Sequence, residues 1–204
     1  IRDVLLTGGD PLTFGDEKLD WLLGELRSIE HVEIVRIGSR LPVTLPFRVT
    51  DSLCRVLERH PPIWLHTHFN HPREITPEAA EACDRLLSAG VPVGNQRVLL
   101  RGINDDVATM KALCEGLVRI RVRPYYCYQA QLLEGTAHFR VPIEDGIALF
   151  RALRGRTSGF AIPLYVLDTP HGKVPLVHPH VIGREGDCVI VETYEGLCWR
   201  ERNP

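Results

Sequence analysis

Short apolar runs alternate along this chain with stretches in which apolar residues recur every three or four positions. Val4-Leu6, Glu33-Ile37, Ile63-Thr67, Val91-Leu100, Val122-Tyr128 and Ile162-Leu167 are strand-sized and rich in β-branched or aromatic residues. Between them, Leu19, Leu22, Leu23 and Leu26 after Asp16 keep helical spacing, as do Asp51-Arg59, Pro77-Ala89, Asp106-Ile120 and Ile143-Leu153. Thr50-Asp51, Thr76-Pro77 and Asn104-Asp105-Asp106 are helix starts, and Asp16 is a candidate N-cap, because a short oxygen-bearing side chain can accept a free N–H of the first turn. Buried strands alternating with helices predict parallel βαβ units, hence an α/β fold. Five or six such units fit the chain, so the expected architecture is a partial (β/α) barrel. The end of the chain differs: Asp187-Val191 and Gly196-Leu197 predict a small antiparallel hairpin, a C-terminal β appendage. Two regions follow, residues 1–160 as barrel and residues 161–204 as a lysine-bearing loop and hairpin packed on it.

Composition narrows the classes. With 204 residues, 44% hydrophobic and 25% charged, the chain can bury a core, and disorder is excluded. A net charge of -2 gives no cationic field to hold a nucleic acid, and no apolar run reaches membrane-spanning length, so no nucleic-acid or membrane partner is expected. The expected location is cytoplasmic. The chain begins at Ile1 and its only methionine is Met110, which suggests that upstream sequence is missing. Cys54, Cys83, Cys114, Cys127, Cys188 and Cys198 are too far apart for the short spacing of a metal motif and are expected to be buried thiols.

In a β/α barrel, functional groups sit where strands run out into the following loops. Those ends carry Thr7-Gly8-Gly9-Asp10, Gly38-Ser39-Arg40, His66 through His71, Gly94-Asn95-Gln96, Tyr125 through Gln131, and Asp168 with Lys173. Gly8 and Gly9 let the backbone approach a ligand, and Asp10 can accept from an ammonium group; the same residues also make a tight turn. His66 and His68 fall on one face of a strand with His71 a turn later, which fits either a three-histidine metal site or hydrogen-bond donors at the barrel mouth. Lys173 follows a loop whose path is fixed by Pro170 and Gly172. Partly desolvated there, it could form a Schiff base with a carbonyl cofactor or substrate; a solvated loop lysine is the plain alternative.

Several long segments in fixed order carry more. Leu6–Leu12 (LTGGDPL), Val32–Arg40 (VEIVRIGSR), Thr67–Pro72 (THFNHP), Gly90–Gln96 (GVPVGNQ) with Val98–Gly102 (VLLRG), Ile120–Tyr126 (IRVRPYY) and Arg154–Gly159 (RGRTSG) resemble the lysine 2,3-aminomutase family of radical S-adenosylmethionine (SAM) enzymes. The resemblance implies a barrel of the radical SAM type, an isomerase activity, and three cofactors: SAM, pyridoxal 5'-phosphate (PLP) and a [4Fe-4S] cluster. The cluster's C-x₃-C-x₂-C ligand loop does not occur in this chain and is expected upstream, so the chain alone is expected to be inactive. In that family a 5'-deoxyadenosyl radical made from SAM removes hydrogen beside the carbon bearing the amine, and PLP holds the migrating amine. Carried over by motif, Lys173 holds PLP and Tyr128 stands near its ring. Gly8, Gly9 and Asp10 lie against the methionine end of SAM, and Ser39, Arg40, His68 and Gln96 line the SAM side.

Two departures are visible. The lysine loop is about two residues shorter than the family's glycine run. Gln131 stands where lysine-specific members carry a second aspartate beside the one matched by Asp168. Losing one of two charge partners weakens recognition of a distal ammonium by roughly 1.5–3 kcal/mol. Asp168 still argues for a cationic side chain, so the expected substrate is L-lysine or another basic amino acid, with the α-amino group moving to the β carbon. The expected partner is therefore a small amino acid, and a homo-oligomer is expected of the full-length form. The alternatives are a Schiff-base β/α-barrel lyase without radical chemistry and a non-catalytic SAM-binding homologue.

Overall fold

A computed structural model describes residues 1–203. Six strands, β1 (Asp3–Leu6), β2 (Ile34–Gly38), β3 (Ile63–Thr67), β4 (Val93–Leu99), β5 (Arg123–Gln129) and β6 (Leu164–Thr169), lie side by side in chain order, all parallel. Parallel neighbours need a crossover, and helices supply it: α1 (Asp16–Arg27), a short α2 (Leu41–Thr44), α3 (Asp51–Glu58), α4 (Pro77–Ser88), α5 (Val107–Arg119) and α6 (Ile143–Leu153). The sheet curls into a partial barrel, as the strand–helix alternation predicts.

Alternation within strands decides which face is covered. Val35, Ile37, Ile63, Leu65, Val93 and Leu99 are buried against the helices, in one cluster under α1, α3 and α4 and another under α5 and α6. Their neighbours Ile34, Arg36, Trp64, His66, Gly94 and Gln96 point to the opposite, inner face and stay partly or largely exposed. Because this face is open, each strand's second residue set is free to line cavities. Cys54, Cys83, Cys114 and Cys127 are buried free thiols on the helix side, and burial pushes Cys83 and Cys127 up to about 12. Cys188 is half-buried and Cys198 exposed, contrary to the expectation of buried thiols throughout.

Three local features differ from the sequence reading. Gly15, not Asp16, occupies the N-cap of α1; Asp16 is the first helical residue, and its carboxylate accepts from Arg48 Nη2 at 2.7 Å. The segment from Asp168 to Lys173 is not a free loop but the turn of a hairpin, in which β7 (Gly172–Pro175) returns antiparallel to β6 with Asp168 opposite Lys173. Both strands belong to the main sheet, so a division at residue 160 cuts through it. The separate unit begins at β8 (Val181–Glu185) and continues through β9 (Cys188–Glu192) and β10 (Cys198–Arg202), a three-stranded antiparallel sheet rather than a hairpin. β10 is exposed at every residue and has no period-2 apolar pattern, which is why its sequence gives no strand signal.

Candidate functional site

Two cavities open at the C-terminal ends of the strands. The first, of about 270 Å³, is polar and is lined by Gly9, Asp10, Ser39, Arg40, His68 and Gln96 among others. Asp10 organises it. Its Oδ1 accepts from Leu12 N at 3.1 Å and from Ser39 Oγ at 2.7 Å, and its Oδ2 accepts from Arg40 N at 2.6 Å. The carboxylate thus ties the loop after β1 to the loop after β2. The Arg40 guanidinium donates to Glu74 Oε1 at 3.1 Å, and Glu74 Oε2 accepts from the backbone of Asn70 and His71, which carries the tie to the loop after β3. Asn70 Oδ1 accepts from Val98 N at 3.1 Å and reaches the end of β4. Since that oxygen can only accept, His68 Nε2, 3.0 Å away, must be the protonated nitrogen, leaving Nδ1 as an acceptor. Burial, and then the nearby charge of Arg40, hold His68 below the usual histidine range, so it is neutral at pH 7. Gly8 has φ +118, a backbone region that other residues adopt only under strain.

The second cavity, about 400 Å³, lies between β4 and β6 and has largely apolar walls that include Val98, Leu100, Leu133 and Phe139. Asp168 is the only carboxylate in its lining, and no lysine, arginine or histidine lines it. Gln131 Nε2 donates to Asp168 Oδ2 at 3.4 Å, and Lys173 Nζ stands 3.8 Å from Asp168 Oδ1. The same ammonium is 6.0 Å from the centre of the Tyr128 ring. Lys173 is less desolvated than the sequence suggests, its side chain being 44% exposed. Burial pushes the Tyr128 hydroxyl up to about 12, so it remains a phenol and donates to Gln96 Oε1 at 3.4 Å. Gln96 also lines the polar cavity, so this pair joins the two sites.

The structure therefore gathers Gly9, Asp10, Ser39, Arg40, His68 and Gln96 around one cavity and Tyr128, Gln131 and Asp168 around the other, with Lys173 beside the second. The three histidines do not converge on one point: His71 Nδ1 accepts from Arg73 N at 3.1 Å and caps a turn, and His66 stacks on Tyr125 at 5.1 Å. Among the described residues no group of three or more His, Cys, Asp or Glu could hold a metal ion. Sequence reasoning passes over Glu74 and meets Asn70, Asn95 and Asn104 only as members of strand-end or helix-start runs, without the ties they make. Buried Asn95 pairs both its amide atoms with the Phe69 backbone at 2.6 and 3.1 Å, and Asn104 donates to Asn70 O at 2.8 Å and Val98 O at 3.0 Å. Asn95 in the middle of an apolar strand is the one signal that could have found them.

Comparison with known proteins agrees with this arrangement. A family model described as Lysine-2,3-aminomutase matches residues 150–204. The L-lysine 2,3-aminomutases of Fusobacterium nucleatum and Clostridium subterminale are 54% and 53% identical to this chain, each over 97% of it and over 47% and 48% of their own lengths. The glutamate 2,3-aminomutase of Clostridioides difficile is 48% identical over 96% of the chain and 47% of its own length. The chain thus spans about half the length of the curated relatives it matches. A radical SAM methyltransferase from Sphaerobacter thermophilus shares the fold, with a TM-score of 0.61 at 17% identity, covering 82% of this chain and 51% of that one. Motifs, family model and relatives coincide: over nearly its whole length the chain is similar to the L-lysine 2,3-aminomutases, and its last part matches the model of that family.

Proposed function

We propose that this chain forms the ligand-binding part of an aminomutase that moves the α-amino group of a basic amino acid, L-lysine first, to the β carbon. The observation that carries the substrate class is the lining of the apolar cavity: one carboxylate, Asp168, and no cation. An alkyl chain ending in a positive charge fits such walls, because its methylenes are removed from water while its charge meets Asp168. An anionic side chain would instead bring a second negative charge up to Asp168. Overall identity does not choose, since a glutamate enzyme matches nearly as well as the lysine enzymes.

The residues fit two of the three cofactors the family uses. Gly9 and Asp10 line the polar cavity, and a Cβ on Gly9 or on the neighbouring Gly8 would meet nothing within 4 Å; this open turn and the Asp10 carboxylate suit the amino-acid end of SAM. Lys173 beside the Tyr128 face suits the aldehyde end and the ring of PLP. No basic residue lines that cavity to meet the cofactor's phosphate, so its charge must be balanced from elsewhere. The cluster finds no ligand set among the described residues. When bound, SAM supplies a hydrogen-abstracting radical, and PLP a carbonyl that takes up an amine and delocalises an unpaired electron.

This chain's own residues orient and exclude. Asp10, held by Ser39 and Arg40, keeps one lone-pair direction of Oδ2 for an ammonium. Neutral His68 offers Nδ1 as an acceptor, and Gln96, which accepts from Tyr128, keeps its amide N–H groups for a ligand. Tyr128 presents a flat face at the junction, while Val98, Leu100, Leu133 and Phe139 keep water from the reacting carbons. Asp168, 3.8 Å from the Lys173 ammonium, offers a carboxylate to the substrate's distal cation. The test is anaerobic turnover by the whole protein of L-lysine, L-arginine, L-ornithine and L-glutamate with SAM and PLP, with the β-amino product read by NMR. A basic substrate should be preferred; preference for glutamate, or no β-amino acid from any of the four, would overturn the proposal.

A further inference from the structure

The strand that carries Lys173 is poorly held by its own contacts. β7 is four residues long, exposed at each of them, and paired on one side only, with β6. Beyond it, Leu176 N donates to Tyr165 O at 2.9 Å, and the chain then runs without regular structure to β8. What fixes this run is a residue far away in sequence, Glu192, at the end of β9.

Glu192 Oε2 accepts from His178 Nε2 at 2.8 Å and from Arg151 Nη2 of α6 at 2.7 Å. Its backbone adds two more contacts: its N–H donates to His180 O at 2.8 Å, and its carbonyl accepts from His180 Nδ1 at 2.9 Å. The three side chains are only 22–34% exposed, so the carboxylate is shielded on both sides. A second contact docks the same small sheet on the end of α6, where a Cβ on Gly155 would run into the Tyr194 ring. Glu192 therefore closes a ring from β7 through residues 176–180 to β9, and from there through Arg151 to the barrel.

We propose that Glu192 is a positioning residue for Lys173, fixing the outer end of the β7 strand so that the ammonium stays over Tyr128 and beside Asp168. The consequence for cofactor binding rests on the assignment of Lys173 as the PLP lysine, but the restraint on β7 does not. With the carboxylate gone, Arg151 and His178 lose their shared acceptor, and the run keeps only its backbone bonds at Leu176 and His180 and the contact of Tyr194 with Gly155.

The experiment compares the wild-type protein with Glu192→Ala and Glu192→Asp by hydrogen exchange of the 172–176 segment without ligands, and by PLP and SAM titration. In Glu192→Ala, β7 amides should exchange faster while β2–β4 are unchanged. PLP affinity, read from the absorbance of its Lys173 adduct, should fall about five- to tenfold with SAM affinity unchanged within about twofold, as expected for loss of a shielded charge-assisted contact. Glu192→Asp should recover part of both. Wild-type exchange at β7 in Glu192→Ala overturns the proposal, and so does equal loosening of β2–β4 with loss of SAM binding. If the wild-type protein takes no PLP, the reading of Lys173 fails, while exchange at β7 still decides whether Glu192 positions it.

Discussion

The polar cavity is built from groups that bond one another across three successive loops, from Asp10 through Ser39, Arg40 and Glu74 to Asn70, whereas in the apolar cavity Asp168 meets Gln131 and Lys173 at the long distances of 3.4 and 3.8 Å. In the first, donors and acceptors are paired before any ligand arrives, so little reorganisation is needed and recognition falls to the groups left over. In the second, Lys173 and Asp168 are weakly engaged and half in solvent, which leaves the amine free to change partners. A site that binds and releases a ligand unchanged profits from the first design; one that exchanges covalent partners on a lysine needs the second.

The comparison breaks most visibly at Lys173. Lys173→Ala in the whole protein should abolish the borohydride-reducible PLP adduct completely while leaving SAM affinity unchanged; an undiminished adduct would move the covalent role elsewhere. Asp10→Ala should come next. It removes the acceptor of three hydrogen bonds, so a loss of about 2–4 kcal/mol is expected in the order of the first two loops. Calorimetric titration should show SAM binding weakened at least about tenfold with PLP uptake spared; equal loss of both would mean that the two cavities are one cooperative unit.

Gln131→Asp sharpens the contrast by giving the apolar cavity a second carboxylate. For L-lysine, kcat/KM should rise about tenfold, or 1.4 kcal/mol, if Gln131 only fills the place of an acid. Unchanged lysine turnover with impaired arginine turnover would show that the amide reads a guanidinium. The smallest effect concerns pH. Burial lowers the pKa of both His66 and His68, so the unfolded chain binds more protons than the folded one as pH falls through the ordinary histidine value, and stability drops with it. His68→Gln should flatten that part of a Tm-against-pH curve. The second stage should persist, because Glu192, lowered first by His178 and then by Arg151, contributes stability that is present above the ordinary glutamate value and lost as pH falls through its folded one.

Much of the barrel is legible because period-2 and period-3.6 patterns are local: β1–β6 and every helix between them except the four-residue α2 announce themselves, and parallel order follows from their alternation. The residues that line the two cavities are legible for the same reason, since most of them stand at strand ends. The ties among them are not. Glu74 and Asn104 look like a loop acid and a helix start, and only the curling of the sheet brings Glu74 to Arg40 and Asn104 to Asn70.

Local sequence thus determined the elements, the family resemblance and the identity of the chemical groups, because spacing along one segment fixes which side of it a residue occupies. Tertiary structure alone decided that Lys173 sits on an edge strand opposite Asp168, that Asp10 is already bonded to the next loop, and that Glu192 reaches Arg151 and His178. Apart from the hairpin that sets Lys173 opposite Asp168, those pairings join residues far apart in the chain, and no local pattern encodes which partner a carboxylate meets once the sheet has curled.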